Sequence, residues 1–372
     1  MKLTVLRENL LKGLGVVERS VGEGERLPIL GTVKIEAGKG NAITLATTNL
    51  ETAIIHTCSG KVVQEGTAAV SLHVLRDILK NLTTEKIQLT AADRKLSMQA
   101  DNYEASVSLE KVDEFPLIPP VQNRNESATF AARILKRLFT KSLVATQYSE
   151  IRPEINGIYT SFGDEGIVCA GTDSFRLVEA RARRDAFQSG FQQGVSFIVP
   201  LRAVGIFIRS FADEENIQLF LDANQIIFES AATTLVSRLI DGTFPSYRDI
   251  IPKETEQEVQ VHREELENAL KVARVFSGRA NDVSVSLDEE GKLLEISSRE
   301  SSVGENVYRL PARSHGAKKE ITILFNWKYL LDGVSLYEKP EVVLGASGPH
   351  KPVVIRGKDE EDMVYVVMPI RE

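Results

Sequence analysis

A polar turn that occurs twice constrains the fold of this 372-residue chain more than any other feature. Gly171-Thr172-Asp173-Ser174-Phe175-Arg176-Leu177 joins two apolar runs, 166–170 and 177–180. Thr48-Asn49 stands in the same setting, between 42–46 and 50–55. The offset, 172 − 48, is 124 residues, one third of the chain. A long fixed period marks tandem copies of one unit, and it has to be recognised before local motifs are read.

Each third repeats one order of elements. A helix opens each: Leu6, Leu10, Leu14 and Val17 fall at helical spacing, as do Ile134, Leu135, Leu138 and Val144, and Leu266, Ala269, Leu270, Ala273 and Phe276. Hairpins follow, 32–36 with 42–46, 157–161 with 166–170, and 283–287 with 292–297, around turns rich in Gly, Asp and Asn. A second helix is entered from a strand at Val70-Ser71-Leu72-His73, Phe197-Ile198-Val199-Pro200 and Leu324-Phe325-Asn326-Trp327. Pro200 is expected in the first turn of its helix, where no donor is needed. The thirds close on Phe115-Pro116, Phe244-Pro245 and Val367-Met368-Pro369, and stretches 116–120 and 252–257 read as linkers. The pattern predicts an α+β fold of three tandem domains, 1–120, 121–252 and 253–372, each with two helices packed on antiparallel sheet.

Composition excludes several classes. The chain is 42% apolar and 26% charged, and has no apolar run of membrane-spanning length. Met1-Lys2-Leu3-Thr4-Val5 lacks the apolar core of a secretory signal. Cys58 and Cys169 sit in or beside apolar runs, as buried thiols of a reducing cytoplasm. His56, His73, His262, His315 and His350 are scattered without metal-ligand spacing, and neither a phosphate-binding Gly-Lys loop nor a nucleophile elbow occurs. Thr172-Asp173 mimics a catalytic pair, but its twin Thr48-Asn49 makes a turn-forming role the better reading. No enzyme, metal site or cofactor is expected.

Paired amphipathic helices on repeated sheets can join edge to edge, and a head-to-tail interface closes when the rotation allows it. Two chains then make a ring whose hole is lined by helices. Arg7, Lys12, Arg76, Lys80, Arg133, Lys136, Arg137, Lys141, Arg202, Arg209, Lys271, Arg274 and Lys328 are expected to face inward. The acidic runs Asp213-Glu214-Glu215, Asp288-Glu289-Glu290 and Asp359-Glu360-Glu361-Asp362 are expected to face out. That arrangement reconciles a net charge of −7 with a channel for duplex DNA, held by phosphate charge and not by base identity.

Four stretches in this order carry a resemblance: Leu27-Pro28-Ile29-Leu30-Gly31, Thr172-Asp173 with Arg176-Leu177, residues 244–252 beginning Phe244-Pro245-Ser246-Tyr247-Arg248, and Val366-Val367-Met368-Pro369-Ile370-Arg371. Over essentially its whole length the chain resembles the bacterial DNA polymerase III beta subunit, the sliding-clamp family. The resemblance implies three clamp domains per chain, a head-to-tail homodimer around double-stranded DNA, and no catalysis. It implies a pocket that takes short linear peptides from the polymerase III alpha subunit, the clamp loader, other polymerases and repair proteins. Carried over by position, that pocket comprises Ile155, Thr172, Ser174, Phe175, Arg176, Leu177, Pro245, Ile250, Tyr329, Pro352, Val366, Met368, Pro369, Ile370 and Arg371. Such side chains suit an adaptable apolar hollow with a polar rim. Val107 and Leu109 of one chain are expected against Val275 and Phe276 of the other. The sequence also departs from the family. Phe175 stands where many members carry histidine, Asp249 where a basic residue is common, and the loop 22–26 offers DNA only Arg26. A rival expectation is a peptide-binding scaffold that no longer encircles DNA.

Overall fold

The computed structural model describes every residue except 25, 26, 125, 192, 193, 223, 317–319 and 372. Each third opens on a strand, and not on a helix as its periodicity suggests: Lys2–Leu6, Ser127–Ala131 and Gln257–His262. Short alternation explains them, since Leu3 and Val5, Ala128 and Phe130, and Val259 and Val261 point inward while their neighbours do not. The helix begins on the next residue.

The described residues form six α-helices: α1 (Arg7–Val17), α2 (Leu72–Asn81), α3 (Ala132–Leu143), α4 (Leu201–Ser210), α5 (Arg263–Ala273) and α6 (Trp327–Val334). Each buries one stripe, for example Leu10, Leu14 and Val17 on α1 and Leu266, Leu270 and Ala273 on α5. The second helix of each third follows directly on a strand: Gly66–Ser71, Val195–Pro200 and Ile321–Asn326. Pro200 is thus the last strand residue, one place before the position its helix-starting role predicts. Asn326 caps α6, its side-chain oxygen accepting the Lys328 N–H at 3.0 Å.

The chain divides into two compact units. The first holds Met1–Lys136, Phe187–Gln193 and Arg202–Leu239; the second holds Arg137–Ala186, Gly194–Leu201 and Ile240–Glu372. In the first unit one antiparallel sheet continues across the repeat boundary. The strand Thr233–Arg238 lies beside Thr52–Ser59, with Leu235 opposite Ile54 and Val236 opposite Ala53. Ala53, Phe220, Ile227 and Val236 form one core there, with Ile118 and Val121 packed on it. Helices α1 and α2 pack together.

The second unit is built the same way. The strand Arg176–Arg183 lies beside the C-terminal strand Met363–Val367, with Arg176 opposite Val367 and Leu177 opposite Val366. Helices α5 and α6 pack together, and α6 lies over Tyr365. Gly333 permits that approach, because a Cβ at this position would sit 2.4 Å from the Tyr365 ring. No described helix is long and apolar enough to cross a membrane.

Candidate partner-binding site and nucleic-acid interface

The twin turns close by the same bonds. In the first third, the Thr48 hydroxyl donates to the Thr52 carbonyl at 3.0 Å and accepts the Leu50 N–H at 3.1 Å. Asn49 Oδ1 accepts the N–H groups of Glu51 and Thr52. In the middle third, the Thr172 hydroxyl donates to the Arg176 carbonyl at 2.7 Å and accepts the Ser174 N–H at 3.1 Å. Asp173 Oδ1 accepts the N–H groups of Phe175 and Arg176 at 2.9 and 3.0 Å. Leu50 and Ser174 occupy left-handed backbone with φ of 76° and 77°. Thr172 and Asp173 are consumed in holding a turn, so the catalytic-pair reading falls.

The middle turn carries an addition. Arg176 is 8% exposed and its Nε donates to Asp173 Oδ2 at 2.9 Å. Its Nη1 donates to Asp332 of α6 at 2.5 Å. Its guanidinium lies 4.4 Å from the Tyr329 ring centroid, and the Phe175 ring stacks on Tyr329 at 6.5 Å. Burial opposes the arginine charge, yet Tyr365, Asp332 and Asp173 around it raise its pKa above the usual arginine value. The Tyr365 hydroxyl donates to the Tyr329 carbonyl at 2.7 Å, which fixes the helix beneath the ring.

The C-terminal segment crosses this wall. The Met368 N–H donates to the Phe175 carbonyl and the Ile370 N–H to the Leu324 carbonyl, both at 2.8 Å. On the other flank, Arg152 Nη1 donates to the Ser174 hydroxyl at 2.9 Å. Below, Tyr247 donates its hydroxyl to Glu179 at 2.5 Å, and Arg181 also donates to that carboxylate. Burial and this acceptor push the Tyr247 pKa well above the usual phenol range. The bond ties segment 244–250, and with it Pro245 and Ile250, to the sheet.

The fifteen pocket residues differ in what they offer. Leu177 and Val366 are 3% and 1% exposed and belong to a core with Ala170, Ile198, Phe244, Tyr247 and Val354. They support the site from inside instead of walling it. Ile155, Thr172 and Pro369 are also buried. Pro245, Tyr329, Pro352, Met368 and Ile370 are half-buried, and Ser174, Phe175, Ile250 and Arg371 are exposed. Sequence reasoning missed Asp332, Arg152 and the apolar Ile151 before it, which is 91% exposed. An isoleucine in the polar stretch 147–154 was the available signal for Ile151; Asp332 had none.

The candidate DNA-contact residues divide similarly. Lys12, Lys80, Arg202, Arg209, Lys271, Arg274 and Lys328 are exposed, and Arg7 and Arg76 half-buried. Arg76 pairs with Glu18. Lys141 is 9% exposed, which removes it from any phosphate-facing row. The i, i+4, i+8 row that nominated it drifts by about 40° every four residues, enough to turn the last member towards the buried stripe. Arg26 lies outside the described residues. The expected segregation of acids from these cations fails for two of the three acidic runs: Arg133 pairs with Glu214, Lys136 with Asp213 and Arg137 with Asp362.

For the expected interchain contact, Val107 and Leu109 are half-buried on the strand Tyr103–Glu110, and Val107 lines a cavity of about 1240 Å³ with Pro28, His73, Val74 and Ile78. Val275, 62% exposed, and half-buried Phe276 follow α5 in a 3-10 turn. Burial pushes the Cys58 thiol to about 11 and the Cys169 thiol to about 12, so both stay protonated at neutral pH.

Family models for the N-terminal, central and C-terminal domains of the DNA polymerase III beta subunit match residues 1–119, 129–246 and 248–371. The chain belongs to this family. Its members are non-enzymatic processivity factors of DNA replication. The beta sliding clamp of Staphylococcus epidermidis is 24% identical over 382 residues, covering 100% of this chain and 99% of the relative. That of Staphylococcus aureus is 23% identical over 381 residues, with the same coverage. The Bacillus subtilis sliding clamp superposes with a TM-score of 0.94 at 22% identity, covering 100% of this chain and 99% of that one. The beta subunit from Pseudomonas aeruginosa does so with 0.92 at 24%, covering 100% of both. The triplicated α+β reading and the family expectation therefore hold.

Proposed function

We propose that two copies of this chain join head to tail around duplex DNA and tether the replicative polymerase through the site that Phe175, Tyr329, Ile250 and Met368 present. The partners are those of the family: DNA, a second copy, polymerase III, the clamp loader and other proteins that dock by short peptides. The domains run 1–120, 121–252 and 253–372, and the cytoplasm is the compartment. The mechanism is topological. A closed ring slides without base contacts and holds the polymerase at high effective concentration.

The observation that carries the peptide reading is the fusion of the Thr172–Leu177 turn to the C-terminal strand. Main-chain bonds and the Arg176–Asp332 pair fix an exposed aromatic face beside half-buried Met368 and buried Pro369. An extended peptide with a few apolar anchors fits such a surface. Met368→Ala with Pro369→Ala should abolish binding of a labelled peptide taken from the polymerase, read by fluorescence anisotropy, and leave the dimer intact. Unchanged affinity removes the pocket assignment. Loading on circular and linear DNA separates the ring from the scaffold that no longer encircles DNA, because a ring slips off free ends and a scaffold does not distinguish them.

A further inference from the structure

Three of the four cations of α3 already have partners. Arg133 Nη1 lies 2.5 Å from Glu214, Lys136 Nζ 2.7 Å from Asp213, and Arg137 Nη1 2.5 Å from Asp362. The backbone fixes these acids in place. The carbonyls of Asp213 and Glu215 accept the N–H groups of Arg133 and Ala132 at 3.0 and 2.8 Å, so the acidic run is fastened to the first turn of α3. The Asp362 carbonyl accepts the Arg181 N–H at 2.7 Å, and Arg137 Nη2 donates to the Arg181 carbonyl at 3.4 Å.

The side chains of Glu214, Asp213 and Asp362 are 82%, 67% and 38% exposed. Exposed pairs are weak and break readily. Even broken, each carboxylate stays well within the Debye length of about 8 Å at physiological salt, so an approaching phosphate meets a cation whose field is partly cancelled. Among the described residues no carboxylate pairs with Lys12, Lys80, Arg202, Arg209 or Lys328. On the other helices compensation is partial: Arg7 pairs with Glu8, Arg76 with Glu18 and Lys271 with Glu267, whereas on α3 all three cations outside the buried stripe are paired.

The geometry points to a brake on DNA contact: Asp213, Glu214 and Asp362 set how strongly α3 grips phosphate. This inference rests on the DNA-encircling reading. A cation held by its own chain releases fewer counterions when phosphate arrives, so contact stays shallow and sliding stays easy. Retention on DNA is left to ring closure.

The test is equilibrium binding of a short fluorescent linear duplex across a salt series. The variant carries Asp213→Asn, Glu214→Gln and Asp362→Asn. A control carries Asp288→Asn, Glu289→Gln and Glu290→Gln, the same change in net charge in a hairpin turn. The α3 variant should bind on the order of tenfold tighter, with a log K against log salt slope steeper by up to about 2.7, about 0.9 for each freed cation. The control should move affinity less than about twofold. An equal gain in the control assigns the effect to net charge and overturns the proposal, as does an unchanged α3 variant of wild-type melting temperature. Glu214→Gln should lose its effect in an Arg133→Gln background; a persisting gain also overturns it. If Arg133→Gln with Arg137→Gln leaves the wild-type slope untouched, the placement of α3 against DNA fails and the brake fails with it. If that pair lowers the slope and the acid variant does not raise it, the brake alone fails.

Discussion

Removing Asp332 tests whether α6 sets the wall of the peptide site. The substitution Asp332→Ala deletes a carboxylate 2.5 Å from Arg176 Nη1 and leaves the guanidinium one carboxylate, Asp173. A hydrogen bond to a charged group contributes about 1.5–3 kcal/mol net. Asp332 is 30% exposed and Arg176 keeps its bond to Asp173, so the lower part of that range, about 1.5–2 kcal/mol, applies. In a unit of this size that corresponds to a fall in Tm of roughly 3–8 °C. Asp332→Asn keeps an acceptor and should lose about half as much. The second readout is peptide affinity. A loosened Arg176 frees the Tyr329 ring, and Phe175 loses a stacking contact of about 0.5–1.5 kcal/mol, which weakens binding roughly 2- to 12-fold. Calorimetry and anisotropy on both variants give the answer. A Tm within about 1 °C of wild type with unaltered affinity refutes the reasoning, and a lost Tm with unaltered affinity leaves Asp332 a purely structural residue.

Other predictions concern pH and assembly. Burial, aided by Lys12 and opposed by Glu215, pushes His56 below its ordinary 6.5, and its Nδ1 lies 2.9 Å from the Thr233 hydroxyl. The folded state favours the neutral ring, so this contribution is complete above pH 6.5 and is lost as pH falls through 6.5 towards the lowered folded value. His56→Gln should flatten the dependence of Tm on pH over that window; an unchanged slope excludes His56 as its source. Val275→Asp with Phe276→Ala should turn a dimer of 41.2 kDa chains into monomer by light scattering without lowering helicity, because Val275 is 62% exposed. A dimer that survives moves the interface elsewhere.

The repeat, the six helices and the hairpins were legible because periodicity and turn chemistry are local signals. The opening strands were legible too, but five residues of alternation ahead of a helix are easily absorbed into it, as Leu6 shows: it keeps helical spacing with Leu10 and is 39% exposed. Helix spacing did not locate Lys141, since a row eight residues long leaves its own face. Pairings across the chain left no trace in the sequence. Arg176 and Asp332 are 156 residues apart, and nothing local in either segment announces the other. For the same reason the acidic runs, read as outward loops, were separated from the cations they neutralise. Composition reports how many charges exist, and only topology decides which of them meet.

The twin turns let one part of the molecule explain another. Thr48-Asn49 and Thr172-Asp173 share backbone geometry and bonding, so the differences between them isolate what the middle turn adds. In the first copy Asn49 accepts from the small hydroxyl of Thr52; in the second, Asp173 accepts from the long guanidinium of Arg176. The neutral turn is self-contained, whereas the charged one reaches another helix beside the proposed peptide rim. The neutral turn stands in the same chain as a control. Writing Asn and Thr into positions 173 and 176 separates the closure of the turn itself from its tie to α6.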